Sequence, residues 1–135
     1  MILTDTGPLV ALLDKEDKSH QLCVHIARSL DAAPMLTTWP CFTEAMYLLG
    51  AIGGYRYQAV LWDLYRTRRL FLHQTSKEEL DDMDGLMKQY ADTPMDLADA
   101  SLVAVANYLD LRQIFTIDSD FRIYRLNDGS FFDIL

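Results

Sequence analysis

The chain has 135 residues, half of them hydrophobic and about a quarter charged. This size and composition are typical of one globular domain over 1–135 and exclude a chain that is disordered over its whole length. No apolar run approaches the roughly 18–20 residues that a membrane-spanning helix needs, so no membrane partner is expected. The 20 acidic residues outnumber the 12 basic ones and give a formal net charge of −8, which argues against a protein that coats nucleic acid through a basic surface.

The first half of the chain predicts two short strands, each followed by two helices. Pro8 suits a first helical position, and Pro34 ends the second helix before the next strand. The predicted elements are a strand over 2–4, helices over 9–13 and 19–32, a strand over 35–38, a helix from Pro40 to the glycines at 50, 53 and 54, and a helix over 55–66. Apolar spacing predicts inward positions at Leu22, Ile26 and Leu30 of the second helix and at Val60, Leu61, Leu64 and Tyr65 of the fourth.

The second half predicts three more strands and two helices. Ser76 and Glu79 have the spacing of a capping box at a helix start. The predicted elements are a strand over 70–72, a helix from this box to about 90, a helix that carries the apolar residues of 97–106 and ends near 110, a strand over 114–117, and a strand over 131–135. Short apolar strands that alternate with helices indicate a three-layer α/β/α sandwich with a mainly parallel central sheet.

Four acidic residues stand where such a fold binds its ligands. Ligands of a parallel α/β sheet lie at the carboxyl ends of the strands. Asp5 and Asp118 each follow a predicted strand, whereas Glu44 and Asp99 lie in first turns of helices. Because strand ends and the next helix starts face the same edge, the four carboxylates are expected to meet.

Each acid also has a plainer interpretation. Asp5 could simply cap the following helix, and Asp99 could simply interact with the dipole of its helix. Asp118 lies in an Asp-Ser-Asp turn, in which Asp120 could be the turn residue instead. Glu44 is the hardest to explain in this way, because an acid within the apolar stretch 42–46 is unfavourable unless it is paired or binds a metal.

Clustered carboxylates repel one another, and a divalent cation removes that conflict. An all-oxygen site favours Mg²⁺ or Mn²⁺ over zinc, and no Cys–His spacing supports zinc. His20, His25 and His73 are interpreted as structural or surface residues. The chain has no phosphate-binding loop, dinucleotide fingerprint or nucleophile elbow.

Two features predict a reducing, cytoplasmic location. Cys23 and Cys41 are the only cysteines and stand in apolar surroundings, so reduced thiols are expected. The first residues lack the basic and apolar regions of a signal peptide.

At this point the sequence resembles the PIN-domain nucleases, and among them the small VapC-type toxins of toxin–antitoxin pairs. The resemblance covers nearly the whole chain and rests on the segments Leu-Thr-Asp-Thr-Gly-Pro-Leu at 3–9, Thr43-Glu44, Asp-Leu-Ala-Asp-Ala-Ser-Leu at 96–102, Phe-Thr-Ile-Asp-Ser-Asp-Phe at 115–121, and Tyr124-Arg125. It implies that the family's acidic quartet falls on Asp5, Glu44, Asp99 and Asp118.

The resemblance further implies a homodimer and a cognate antitoxin that inserts an arginine into the acidic pocket. Auxiliary roles fall on Asp96 and Asp120, and the hydroxyls of Thr6 and Thr116 are expected to orient the acids or a water on the metal. The cluster of Arg66, Arg68 and Arg69 is the candidate for contact with the RNA backbone.

The predicted function is a Mg²⁺- or Mn²⁺-dependent endoribonuclease that cuts a phosphodiester with metal-activated water. Two alternatives stay open. One is a PIN-like binding module with little turnover, and the other is a structure-specific DNA nuclease.

Overall fold

A computed structural model describes residues 1–31 and 33–135. In chain order the elements are β1 (Ile2–Thr4), α1 (Thr6–Leu13), α2 (His20–Ser29), β2 (Met35–Thr37), α3 (Trp39–Gly53), α4 (Tyr55–Arg66), β3 (Leu70–Leu72), α5 (Lys77–Gln89), α6 (Leu97–Leu109), β4 (Gln113–Phe115), a 3₁₀ turn (Ser119–Arg122) and β5 (Asp133–Ile134). Among these described helices, none has the length and apolar character that crossing a bilayer requires.

The five strands form one parallel sheet in the order β3-β2-β1-β4-β5. The first strand therefore lies at the centre, with β2 on one side and β4 on the other. Strands β2 and β3 are added on one side of β1, and β4 and β5 are added later on its other side. This change of direction leaves a crevice at the carboxyl ends of β1 and β4. The parallel sheet confirms the predicted α/β fold.

The sheet is covered on both faces, as a three-layer sandwich requires. Leu3, Leu36 and Ile114 point into a core built with α5 and α6. Ile2 and Phe115, their neighbours along the strands, belong to a core on the other face with α1 and α2. This alternation follows from the two-residue period of a strand.

The helix starts agree with their sequence signals. Ser76 and Glu79 form the predicted capping box of α5, and Thr38 caps α3 with Pro40 in its first turn. Gly54 separates α3 from α4 and has a φ of 69°, a conformation that glycine adopts without steric cost.

Several predicted boundaries differ from the structure. The first helix begins at Thr6, so Pro8 is its third residue, where the missing amide hydrogen is still without consequence. The predicted strand over 114–117 ends at Phe115, and the predicted strand over 131–135 shrinks to Asp133–Ile134. The helix predicted over 19–32 ends at Ser29, and its predicted last residue, Ala32, lies outside the described residues.

Three predicted inward side chains are exposed instead. Val60 and Tyr65 flank the buried stripe of α4, which consists of Leu61 and Leu64. On α2, Cys23 is fully buried whereas Leu22 is half exposed. In both helices a narrow apolar stripe contacts the sheet layer, and residues about 100° away from it along the helix turn outward.

Candidate functional site

An open pocket of about 270 Å³ lies at the carboxyl edge of the sheet, where β1 and β4 end. Its walls are apolar where Val10, Leu48 and Ile117 contribute, and its floor is acidic. The acidic residues that line it are Asp5, Asp17, Glu44, Asp96, Asp99 and Asp118, and no lysine, arginine or histidine of the described chain stands among the lining residues. All four acids of the predicted quartet therefore reach one pocket.

Asp5, Asp99 and Asp118 form the centre of this cluster. Each offers a carboxylate oxygen, and these three oxygens lie within 4.8 Å of one another. Two oxygens on opposite sides of one Mg²⁺ would be about 4.2 Å apart, given Mg–O bonds of about 2.1 Å. The 4.8 Å limit is slightly wider than this separation, so a shared cation would draw the three oxygens closer together.

Asp5 is held by hydrogen bonds on both oxygens. It follows β1 and stands at the N-cap of α1, and the Thr6 amide donates to Oδ1 at 2.7 Å. The Thr116 hydroxyl donates to Oδ2 at 2.8 Å. Burial raises the pKa of Asp5 to about 6, and the charges of Asp118 and Glu44 add to the shift, while these hydrogen bonds oppose it.

Asp99 lies one turn into α6 and is also buried. It forms a capping box with Asp96, whose carboxylate accepts from the Asp99 amide at 2.8 Å. The buried Tyr124 hydroxyl donates to Oδ2 of Asp99 at 3.0 Å. Burial, followed by the charge of Asp96, raises the pKa of Asp99 to about 7.

Asp118 is the N-cap of the 3₁₀ turn that follows β4. Its Oδ1 accepts from the Asp120 amide at 2.9 Å, and its own amide donates to the Thr116 hydroxyl at 3.0 Å. Asp120 thus holds the turn through its backbone, and Asp118 is the acid that joins the three-oxygen cluster. This separates the two aspartates that the sequence left as alternatives.

Glu44 differs from the other three acids because its side chain is exposed. The helix α3 buries Phe42 and Ala45 beside it, so the apolar stretch is one face of an amphipathic helix. The expectation that Glu44 is costly in an apolar setting is therefore wrong. It still lines the acidic pocket, and partial burial followed by the charge of Asp96 raises its pKa.

The two threonines have different contacts. Thr116 orients Asp5 with its hydroxyl, whereas the Thr6 hydroxyl donates to the backbone carbonyl of Cys41 at 3.4 Å and only its amide contacts Asp5. Cys41 itself lies under the cluster, with Sγ 3.9 Å from Oδ1 of Asp5. Burial raises the pKa of this thiol to about 12, which makes it an inert packing residue.

The sequence patterns assign no role to Tyr124 or Asp17. Tyr124 lies in a segment that carries the family resemblance, but nothing in its spacing shows that its hydroxyl reaches Asp99, 25 positions away. Asp17 lies in the loop between α1 and α2 and lines the pocket. Both contacts depend on tertiary packing, for which one sequence holds no local signal.

The arginine cluster lies elsewhere. Arg66 ends α4 and pairs with Asp63, while Arg68 and Arg69 precede β3. All strands are parallel, so these residues stand at the amino edge of the sheet, opposite the acidic pocket. An RNA that contacted both regions would have to run along the side of the domain.

An apolar groove adjoins the acidic pocket and shares Glu44, Asp96 and Ala98 with it. Trp39 and Tyr47 line the groove and are 46% and 74% exposed. These aromatic side chains belong to α3, which also exposes Leu48 and Ile52 towards its far end, and the exposed Tyr55 begins α4.

Comparison with known proteins finds similarity in the fold. No family model and no curated protein matches the sequence. The Mycobacterium tuberculosis toxin VapC20, which cleaves the sarcin–ricin loop, is similar in structure with a TM-score of 0.80 at 16% identity, over 89% of this chain and 92% of the toxin chain. A chain of a toxin–antitoxin complex from Klebsiella pneumoniae has a TM-score of 0.63 at 21% identity, over 90% of both chains. The chain therefore has the PIN-like α/β fold of the VapC-type toxins, as the sequence resemblance implied.

Proposed function

We propose that this protein is a divalent-metal-dependent ribonuclease and the toxin of a toxin–antitoxin pair. The observation that carries the proposal is the meeting of three carboxylates from distant parts of the chain, Asp5, Asp99 and Asp118, within 4.8 Å in an open pocket. Such a cluster is unfavourable without a counter-charge. Burial is the largest cause of the raised pKa values of Asp5 and Asp99, and the charges of neighbouring acids raise them further.

The donor set fits Mg²⁺ or Mn²⁺, because every ligand is a carboxylate oxygen. Asp5, Asp99 and Asp118 would hold the cation, with Glu44 on the pocket wall as the fourth acid. When bound, the cation supplies activation of water and stabilisation of charge on a phosphodiester. Thr116 orients Asp5, Asp96 fixes the helix start that carries Asp99, and Asp120 fixes the turn that carries Asp118.

The similar structures support the substrate and the partner of this proposal. VapC20 cleaves an RNA loop, so a structured RNA loop is the first substrate to test. The Klebsiella chain is part of a toxin–antitoxin complex, so an antitoxin that places a guanidinium among the acids is the proposed partner. The exposed apolar side chains of α3 support the proposed homodimer. We also propose a cytoplasmic location.

Two alternatives make different predictions for one experiment. The pocket has no basic residue among its described lining residues, which favours weak substrate contact and keeps a binding module with little turnover as the second candidate. The wild type and Asp5→Asn are incubated with a looped RNA and with DNA of the same sequence, in Mn²⁺ and in EDTA, and their melting temperatures are measured in parallel.

For a ribonuclease, only the wild type cleaves, only in Mn²⁺, and RNA is cut in preference to DNA. A metal at a hundredfold excess over its Kd would also stabilise the fold by about 2.7 kcal/mol. Stabilisation by Mn²⁺ with no cleavage above the Asp5→Asn background would identify the binding module. Equal or faster cleavage of DNA would identify a DNA nuclease.

The three arginines give a separate prediction. Changing Arg66, Arg68 and Arg69 together to alanine is expected to weaken RNA binding and to flatten its salt dependence, because each lost phosphate contact removes counterion release. Stabilisation by Mn²⁺ should not change, since these residues lie at the opposite sheet edge. Binding is measured by fluorescence anisotropy at several salt concentrations.

A double variant, Lys77→Ala with Lys88→Ala, serves as the control. Both lysines are exposed on α5 and form surface ion pairs with Asp81 and Asp84. If both sets of variants change the salt slope per removed charge equally, the arginine cluster is not a specific RNA contact.

A further inference from the structure

The buried hydroxyl of Tyr124 contacts the acidic cluster from behind. Tyr124 is fully buried, and its hydroxyl donates to Oδ2 of Asp99 at 3.0 Å. The Asp96 amide reaches the same oxygen at 3.4 Å. Among the described residues no hydrogen bond reaches the other oxygen, Oδ1 of Asp99. The two oxygens of this carboxylate are therefore unequal, with one held by the chain and the other left open.

The asymmetry matters because an aspartate carboxylate turns freely about its last side-chain bond. That torsion is broad and roughly two-fold, so an unheld carboxylate samples many orientations. The contact from Asp96 is long, at 3.4 Å, and restrains Asp99 weakly. The shorter bond from Tyr124 is the one that fixes the plane of the carboxylate.

Tyr124 is itself unable to turn away. Its ring packs edge-to-face against Phe121 and against Tyr90, with ring centroids 5.1 Å apart in both pairs. Such contacts set the position of the ring and therefore of the hydroxyl. A buried tyrosine hydroxyl needs an acceptor, and here the acceptor is one of the three acids of the site.

Resting on the proposed function, we infer that Tyr124 is a positioning residue that orients Asp99 for cation binding. It does not touch the substrate or the cation, and it acts only through Oδ2 of Asp99. Hydrogen-bond partners behind metal ligands commonly account for roughly 10–100-fold in metal affinity or activity. The short segment that begins at Asp118 thus supplies one acid and the orientation of another.

The test is Tyr124→Phe, with Tyr90→Phe as the matched control. Both changes remove one hydroxyl from the same aromatic group, but the Tyr90 hydroxyl only accepts from the Arg125 amide. Mn²⁺ affinity is measured by calorimetry, cleavage by kcat and KM, and folding by circular dichroism. We expect Tyr124→Phe to bind Mn²⁺ at least tenfold more weakly and to lose kcat with KM for RNA unchanged, while Tyr90→Phe stays within twofold of wild type.

A double-mutant cycle shows whether the effect passes through Asp99. In an Asp99→Asn background, adding Tyr124→Phe is expected to cause no further loss of Mn²⁺ affinity. A full additional loss would overturn the inference, because Tyr124 would then act by another route. Equal Mn²⁺ affinities for Tyr124→Phe, Tyr90→Phe and wild type would overturn it as well.

These readouts separate the inference from the proposed function. If Tyr124→Phe weakens Mn²⁺ binding but even the wild type cleaves no RNA, the proposed ribonuclease is wrong and the positioning role stands. If the wild type cleaves RNA and Tyr124→Phe does so equally well with the same Mn²⁺ affinity, only the positioning role is wrong. If the wild type binds no Mn²⁺, both are wrong.

Discussion

Asp99→Asn is expected to lower metal-dependent RNA cleavage by roughly a thousandfold, while Asp96→Asn leaves cleavage within about threefold of wild type. The two acids belong to one capping box, but only Asp99 joins the three-oxygen cluster. Asparagine keeps the size of the side chain and removes the charge that holds a cation. A bound metal supplies several kcal/mol of transition-state stabilisation, and each 1.36 kcal/mol corresponds to a factor of ten in rate.

The same pair of sites separates stability from activity. Asparagine caps a helix about as well as aspartate, so Asp96→Asn should melt like the wild type, whereas Asp96→Ala should lose about 1 kcal/mol. Cleavage of a looped RNA in Mn²⁺ is measured beside melting in EDTA. If Asp96→Asn proves inactive and Asp99→Asn active, the third acid of the site is Asp96.

In EDTA, the stability of the wild type is expected to fall between about pH 4 and pH 7, and Asp5→Asn is expected to remove the part of that fall that Asp5 causes. The pKa of Asp5 is 3.8 without perturbation and about 6 in the fold. The folded state therefore holds the proton more tightly than the unfolded state. The resulting stabilisation is complete below pH 3.8 and is lost as the pH rises through 6.

The expected size is on the order of 3 kcal/mol for Asp5, because one pKa unit corresponds to 1.36 kcal/mol. Asp99 adds to the fall in the same direction, since its pKa is raised to about 7. At pH 8 in EDTA, Asp5→Asn should consequently be more stable than the wild type. Chemical denaturation at several pH values measures both variants.

Asp92→Asn is the control, because it removes one charge from an exposed loop between α5 and α6. It should follow the wild-type dependence on pH. Saturating Mn²⁺ should raise the stability of the wild type most at high pH, where the acids are ionised. A wild type in EDTA that is as stable at pH 8 as at pH 5 would contradict an uncompensated acidic cluster.

The fold followed from the sequence because each of its elements has a local cause. Strand β1 is a short apolar run, α5 opens with its capping box, and Gly54 is the C-cap of α3. The convergence of the acids followed from a topological rule, since Asp5 and Asp118 come after neighbouring parallel strands. These inferences needed residue order and type, and no knowledge of side-chain contacts.

The features that failed are those that depend on packing. The exposure of Glu44 is set by the rotation of α3 against the sheet, which buries Phe42 and Ala45 instead. The contact from Tyr124 to Asp99 depends on how the turn after β4 folds back over α6. The position of the arginines at the amino edge follows from strand direction at β3, whereas their clustering in sequence indicated only a local concentration of charge.

One short stretch of chain, from Thr116 to Tyr124, contacts or supplies every member of the three-acid centre. Thr116 and its acceptor Asp5 are 111 positions apart, so the loop between them must close before either contact forms, and contacts of such separation form slowly. During synthesis the amino-terminal part of a chain emerges first, at about 5–20 residues per second. Asp5 is therefore synthesised several seconds before Thr116. The three-acid centre of the proposed activity, with both of these contacts, cannot form on the ribosome until residue 124 has been made.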